Sequence, residues 1–323
     1  IKGGIAVQRN MEDTEKLGAE IMANLKPDEK VLVIITRNYG YADPVLNMGI
    51  PNILLSKGYK VMTLGYIPGM SLDISGDYPN MYWPFGDHLL AGAKLIANHP
   101  NLYAVYLTNH GCGPDTLVNH MFREEMGDKP YLQIEVDEQY SAVGIITRIE
   151  AFLNSISHRP PVELPKNFNI LDVKMKKTNI KSKPDKNKKL YLPDLGIYRW
   201  FLSAYFEKCG YKVGYLNEFS RELLMKGRAE TNSKEYLPFS VLLGGILEAI
   251  EREGENRKNI QFLIPFNEGA DADGQYARAI RTVLDRKGYG DVDVIAPMLE
   301  RLPVEADDPD LLMRALVAGD ILY

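Results

Sequence analysis

The residues best suited to chemistry fall in four short stretches, each just after an apolar run. In Thr108-Asn109-His110-Gly111-Cys112-Gly113-Pro114-Asp115, glycines stand on both sides of a thiol. Gly111 and Gly113 permit backbone angles denied to other residues and let the chain come close to a ligand. Pro114 marks a helix start, so Cys112 is expected near the positive end of that helix, where the thiolate is favoured. A thiolate there serves as nucleophile, metal ligand or cluster ligand, and a small buried thiol in a tight turn fits the same residues. His110 and His120 add imidazoles, but His-x-Cys-x7-His is not a standard zinc spacing.

The other three stretches are less specific. Arg37 and Asn38 follow the run Val31–Ile35, and an arginine there suits phosphate or carboxylate. Asp43 and Pro44 then look like a helix cap and first helical residue. Glu135, Asp137 and Glu138 could bind a divalent cation or simply cap a helix, with Arg148 placed to neutralise them. Gly269–Gly274 has the G-x4-G spacing of a phosphate turn, but no Lys-Ser/Thr follows, and Glu268, Asp271 and Asp273 would repel phosphate.

Strands and helices alternate, which places these stretches at strand ends. Val31–Ile35, Tyr59–Leu64, Tyr103–Leu107 and Tyr131–Val136 are expected strands of the first half. Helical patterns cover Asp13–Leu25, Pro44–Lys57, Asp87–Asn98, Thr116–Met126 and Ile146–Ile156. The second half offers strands at Leu190–Leu192, Tyr211–Leu216, Gln261–Phe266 and Val292–Ile295, with helices over Ile197–Cys209, Phe239–Arg252, Gly274–Lys287 and Asp308–Leu316. Such alternation implies parallel sheets, whose ligands bind beyond the carboxyl ends of the strands.

The 323 residues suggest two α/β domains, 1–160 and 190–323, joined by a lysine-rich linker at 161–189. Eight lysines and one acid between Lys174 and Lys189 give that stretch a charge of +7 against −5 for the whole chain, so the remainder carries −12. An acidic chain whose basic run lacks interleaved aromatics is not expected to bind nucleic acid. No apolar run approaches a membrane span. Two cysteines exclude a disulfide scaffold and fall short of the four thiolates a self-contained iron–sulfur cluster takes. With no signal-peptide layout and no starting Met, the chain is expected to be cytoplasmic and cut from something longer.

Taken in order, these loops resemble the 2-hydroxyacyl-CoA dehydratase/benzoyl-CoA reductase component family, in its acyl-CoA dehydratase activase-related branch. The resemblance rests on Asn101–Asn109, Cys112-Gly113-Pro114-Asp115, Lys129-Pro130-Tyr131, Glu135-x-Asp137-Glu138 and Thr147–Phe152. Tyr41–Pro44 and Asn47–Pro51 fit upstream, and Ser233–Phe239 and Gly274-Gln275-Tyr276 fit more loosely downstream. It implies two Rossmann- or flavodoxin-like parallel-sheet domains facing a cleft that holds a [4Fe–4S] cluster beside an acyl-CoA thioester. Its implied partners are ATPase activator domains or a second dehydratase-like subunit. Carried over residue by residue, it puts Cys112, Tyr236 and Asp271 at the cluster positions, with Cys112 the remaining metal ligand. CoA then falls to Arg37, Asn38, Gly111 and Gly113. Here the family's Glu-Cys-x-Pro is Glu235-Tyr236-Leu237-Pro238, and its Gly-Pro-Cys-Arg is Gly269-Ala270-Asp271-Ala272. Tyrosine and aspartate are poor substitutes for thiolates on iron. The functions in play are therefore a docking or regulatory module with a degenerate cluster site, an active component of 2-hydroxyacyl-CoA dehydration (a lyase) or acyl-CoA reduction, and an unrelated metal- or small-ligand-binding α/β enzyme.

Overall fold

The computed structural model describes residues 2–109, 113–137, 139, 141–174, 178–231, 235–266, 271–298 and 310–322. Contacts divide the chain into two compact units, Ile1–Lys176 and Lys177–Tyr323. Both are α/β, and each is built on a parallel sheet.

In the first unit the strands are β1 (Val31–Ile35), β2 (Lys60–Thr63), β3 (Leu102–Thr108) and β4 (Leu132–Glu135), in the order β2-β1-β3-β4. Every residue of β1 and β3 is buried, as uninterrupted apolar runs predict for strands covered on both faces. Helix α3 (Ile50–Ser56) and helix α6 (Ala142–Ser157) share one core with Leu32, Ile34, Tyr103 and Val105. On the alternate positions, Tyr106 meets Phe122 of α5 (Gly113–Met126) at 4.7 Å between ring centroids. Helix α4 (Pro84–Asn98) packs against both α5 and β3.

The expected helix over Pro44–Lys57 is interrupted. A short α2 (Asn38–Ala42) precedes it, and only α3 forms within it. Asp43 does cap a turn, accepting from Val45 and Leu46 N–H groups. Met48 and Gly49 then take positive φ angles of 54° and 64°, which stop helix propagation until Pro51 restarts it. Helix α1 runs over Lys2–Ala23, well upstream of the Asp13 start that its apolar spacing suggested. Its residues 3–13 are exposed, so no buried stripe marks that stretch in the sequence.

A buried charge cluster ties the irregular segment between β2 and α4 to the helices. Lys94 Nζ lies 2.6 Å from Asp77 Oδ2 and 2.8 Å from Glu125 Oε2, and the Tyr78 hydroxyl donates to the other Glu125 oxygen. The three charged side chains are 3%, 0% and 5% exposed, so one ammonium balances two carboxylates out of reach of bulk water.

The second unit has β5 (Ile180–Lys181), β6 (Lys189–Leu192), β7 (Lys212–Tyr215), β8 (Ile260–Leu263) and β9 (Asp293–Ile295), in the order β5-β9-β8-β6-β7. Apart from β5, this repeats the first sheet: the strand that opens each set lies between its second and third. Helices α7 (Tyr198–Lys208) and α11 (Leu311–Leu322) pack together, and α7 and the first turn of α11 share a core with the sheet through Phe206 and Leu312. Helix α8 (Arg221–Arg228) crosses α9 (Leu237–Glu253) closely enough that a Cβ at Gly227 would fall 1.7 Å from the Ser240 carbonyl oxygen. Helix α8 is not among the helices expected from apolar spacing. Its signal is Ser220, whose hydroxyl accepts from the Leu223 N–H as an N-cap. Helix α10 (Tyr276–Arg286) follows a 3₁₀ turn at Ala272–Gln275.

Part of the lysine-rich stretch takes part in this sheet. Strand β5 pairs with β9, Lys181 and Lys188 both reach Asp293 at 2.8 and 2.7 Å, and Lys189 reaches Glu253 at 3.0 Å. Lys176 and Lys177 lie outside the described residues. Among the described residues no helix is long and apolar enough to cross a membrane.

The charge cluster makes a prediction. Lys94→Met strips the cation from two buried carboxylates and should destabilise the first unit by about 3–5 kcal/mol. Urea denaturation followed by circular dichroism measures it; a loss below about 1 kcal/mol contradicts the cluster's role.

Candidate functional site

In the first sheet the chain runs from β1 outward to β2 and then crosses to β3 on the other side. Beyond the carboxyl ends of strands at such a reversal, here β1 and β3, is where α/β sheets open a crevice for ligands. Arg37 lies two residues past β1, and Thr108 ends β3. Asp115, in the first turn of α5, holds the two loops together. Its Oδ1 accepts from Arg37 Nη2 at 2.8 Å, and its Oδ2 accepts from the Thr108 hydroxyl and the Asn109 N–H, each at 3.2 Å. The Arg37 guanidinium also lies 3.8 Å from the centre of the Phe85 ring. The arginine read from sequence as an anion ligand is thus engaged by a carboxylate and an aromatic face. Asn38 opens α2 and is exposed, and Gly113 opens α5. His110, Gly111 and Cys112 lie outside the described residues, as does Glu138.

The acidic stretch after β4 is partly structural. Asp137 accepts from the Gln139 N–H at 2.9 Å. Arg148, expected to neutralise the acids, donates instead to the Gln133 carbonyl. His120 is buried in α5 and lies 3.2 Å from Glu124, one turn further along.

The second sheet has its reversal between β6 and β8. Asp271 follows β8, the third strand of its set, as Cys112 follows β3, the third strand of the first. Tyr236 stands at the N-cap of α9, half-exposed, and Asp271 stands at the N-cap of the 3₁₀ turn. The two share a neighbourhood centred on Tyr276. Burial raises the Tyr276 phenol, and the charges of Asp271, Asp273 and Tyr236 push it further, to about 12. Burial and the Asp271 charge likewise raise the Asp273 carboxyl. Phe239, one turn into α9, meets the Tyr276 ring at 5.2 Å. Two positions more than thirty residues apart in sequence are thereby brought to one end of the second sheet. Cys209, in contrast, is buried in the core at the end of α7.

These donors fit an iron–sulfur cluster poorly. Phenol and carboxylate are hard oxygen ligands, whereas cluster irons take soft thiolates. The Asp271 carboxylate is also occupied as a cap, accepting from the Ala272 N–H at 2.6 Å.

The structure defines an α/β protein of two parallel sheets, in each of which the strand order reverses beside the opening strand. Residues 1–67 match the model of a family described as CoA enzyme activase uncharacterised domain (DUF2229), which supports an activase-related family for this chain. The matched stretch spans α1 to the 3₁₀ turn after β2 and contains Arg37 and Asn38; the Cys112–Asp115 turn lies beyond it. No curated protein and no solved structure matches the chain.

The Asp115 node is testable. Arg37→Ala leaves the nearly buried Asp115 carboxylate without its cation and should destabilise the first unit by about 1–3 kcal/mol. Thermal or urea unfolding reads the change; a shift under about 0.5 kcal/mol would show that the guanidinium faces solvent rather than Asp115.

Proposed function

We propose that this chain is a region of an acyl-CoA dehydratase activase-related protein. In this reading it keeps the scaffold of the cluster-carrying dehydratase component while serving in docking or regulation. The observation that carries the reading is the pair Tyr236 and Asp271, oxygen donors at positions where the resemblance calls for thiolates, gathered around Tyr276. The activase-domain match over residues 1–67 supports the same class independently. The proposal keeps two α/β domains, 1–160 and 190–323, with the lysine-rich stretch between them lending β5 to the second sheet.

Partners follow from the reading: ATPase activator domains or a second dehydratase-like subunit. A CoA thioester would lie in the crevice of the first sheet, near Arg37, Asn38, Gly111 and Gly113. Because Arg37 already pairs with Asp115, a CoA phosphate would have to compete for that guanidinium.

A second reading keeps one observation in its favour. In the chain, Cys112 comes between β3 and α5. With thiols supplied by a partner, it would be one ligand of a shared cluster in an active dehydration or reduction component.

Binding tests the docking role. The full chain, held anaerobically, should form a complex with the ATP-hydrolysing dehydratase activator of its own source at a Kd of about 10 µM or tighter, measured by biolayer interferometry. No complex at about 100 µM, with and without a nucleotide, contradicts it.

A further inference from the structure

At the opposite end of the first sheet from the crevice, one lysine has surroundings unlike those of the exposed lysines. Helix α5 ends at Gly127 with φ of +53°, the chain turns through Asp128 and Lys129, and Pro130 leads into β4. The turn sends Lys129 across to the end of α4. There its Nζ donates to the Ile96 carbonyl at 2.7 Å and to the His99 carbonyl. The same nitrogen lies 5.1 Å from the centre of the Tyr103 ring. Among the described residues no carboxylate pairs with it.

Lys129 lines a cavity of about 650 Å³. Tyr103 and Phe168 form part of its wall, and its charged groups are Lys129, Arg159, Asp128 and Glu163. Burial lowers the Lys129 ammonium, and the neighbouring Arg159 charge lowers it further, to about 7. His99, beside it, is held down to about 4 by burial and by the Lys129 charge. Its Nδ1 accepts from the Asn101 N–H, as a neutral imidazole does. A neutral amine has two N–H donors and one lone pair. The two carbonyls at the end of α4 take the donors, and the lone pair remains for an electrophile.

We infer that Lys129 is an acyl-acceptor site, a lysine that takes an acyl group from a thioester entering the cavity beneath the first sheet. The amine nitrogen adds to the thioester carbonyl carbon. A C–N bond forms, the C–S bond breaks, and the thiolate leaves and takes up the proton the amine gives up. The product amide has one N–H where the amine had two, so one carbonyl at the end of α4 loses its donor. Arg159, exposed and lining the same cavity with its guanidinium in no ion pair among the described residues, is a cation suited to the phosphates of a phosphorylated donor. The choice of a thioester rests on the activase-related reading; the nucleophilicity of the amine does not.

The test uses the unmodified full chain. After incubation with acetyl-CoA at about pH 7.5, peptide mass spectrometry should find Lys129 acetylated at least about tenfold faster than the exposed Lys16. Competitive labelling with trace acetic anhydride should give Lys129 a midpoint near 7. Lys129 reacting no faster than Lys16 with the anhydride overturns the site. Reaction with the anhydride but not with acetyl-CoA overturns the thioester donor and with it the acceptor role. Neither outcome bears on whether the chain binds an activator, so the two proposals fail separately.

Discussion

A parallel sheet covered on both faces has room for polar chemistry only at the ends of its strands. That constraint governs both units. The side chains of β1, β3 and β8 are buried along their whole length, so these strands leave room for a ligand only beyond their ends. The strand order then decides which loops matter, because the reversal between the first and third strands opens a crevice at one edge. Cys112, Arg37 and Asn38 belong to that edge in the first unit by their place in the chain, and Asp271 in the second. The opposite edge of the first sheet holds Lys129 and its cavity.

Within that frame, most buried charge serves the scaffold. Asp115 joins the loops after β1 and β3 through Arg37, Thr108 and Asn109. Lys94 anchors the excursion before α4 by balancing Asp77 and Glu125. The acids around Tyr276 are different: burial first, and then their mutual charge, hold the phenol and the Asp273 carboxyl in their neutral forms over a wider pH range. A thiolate pair in the same place would meet the same repulsion without a metal to offset it. An Asp271 carboxylate that caps a 3₁₀ turn is compatible with a scaffold that holds no cluster there.

Much of this was legible in the sequence where the physics is local. The run Val-Leu-Val-Ile-Ile coincides with β1 to the residue, and the alternation of strands and helices foretold two parallel sheets. Left-handed geometry at Met48 is not legible, because nothing in a methionine announces a positive φ, and so one expected helix is broken. Non-local pairing was equally hidden. Arg37 and Asp115 are 78 positions apart, and an isolated arginine after a strand looks like a ligand until its carboxylate is found. Lys129 stood in the family-like Lys-Pro-Tyr stretch without a role, since its burial depends on the end of α4 and on the segment after α6. Cys112, the residue most informative in the sequence, lies outside the described residues.

The central claim is that Tyr236 and Asp271 cannot serve where thiolates would hold iron. Iron analysis with visible absorption, on the full chain purified anaerobically and then offered iron and sulfide, tests it most directly. The account predicts less than about a tenth of an iron per chain and no charge-transfer band. About four irons per chain, with a broad band near about 400 nm that bleaches on reduction, would contradict it.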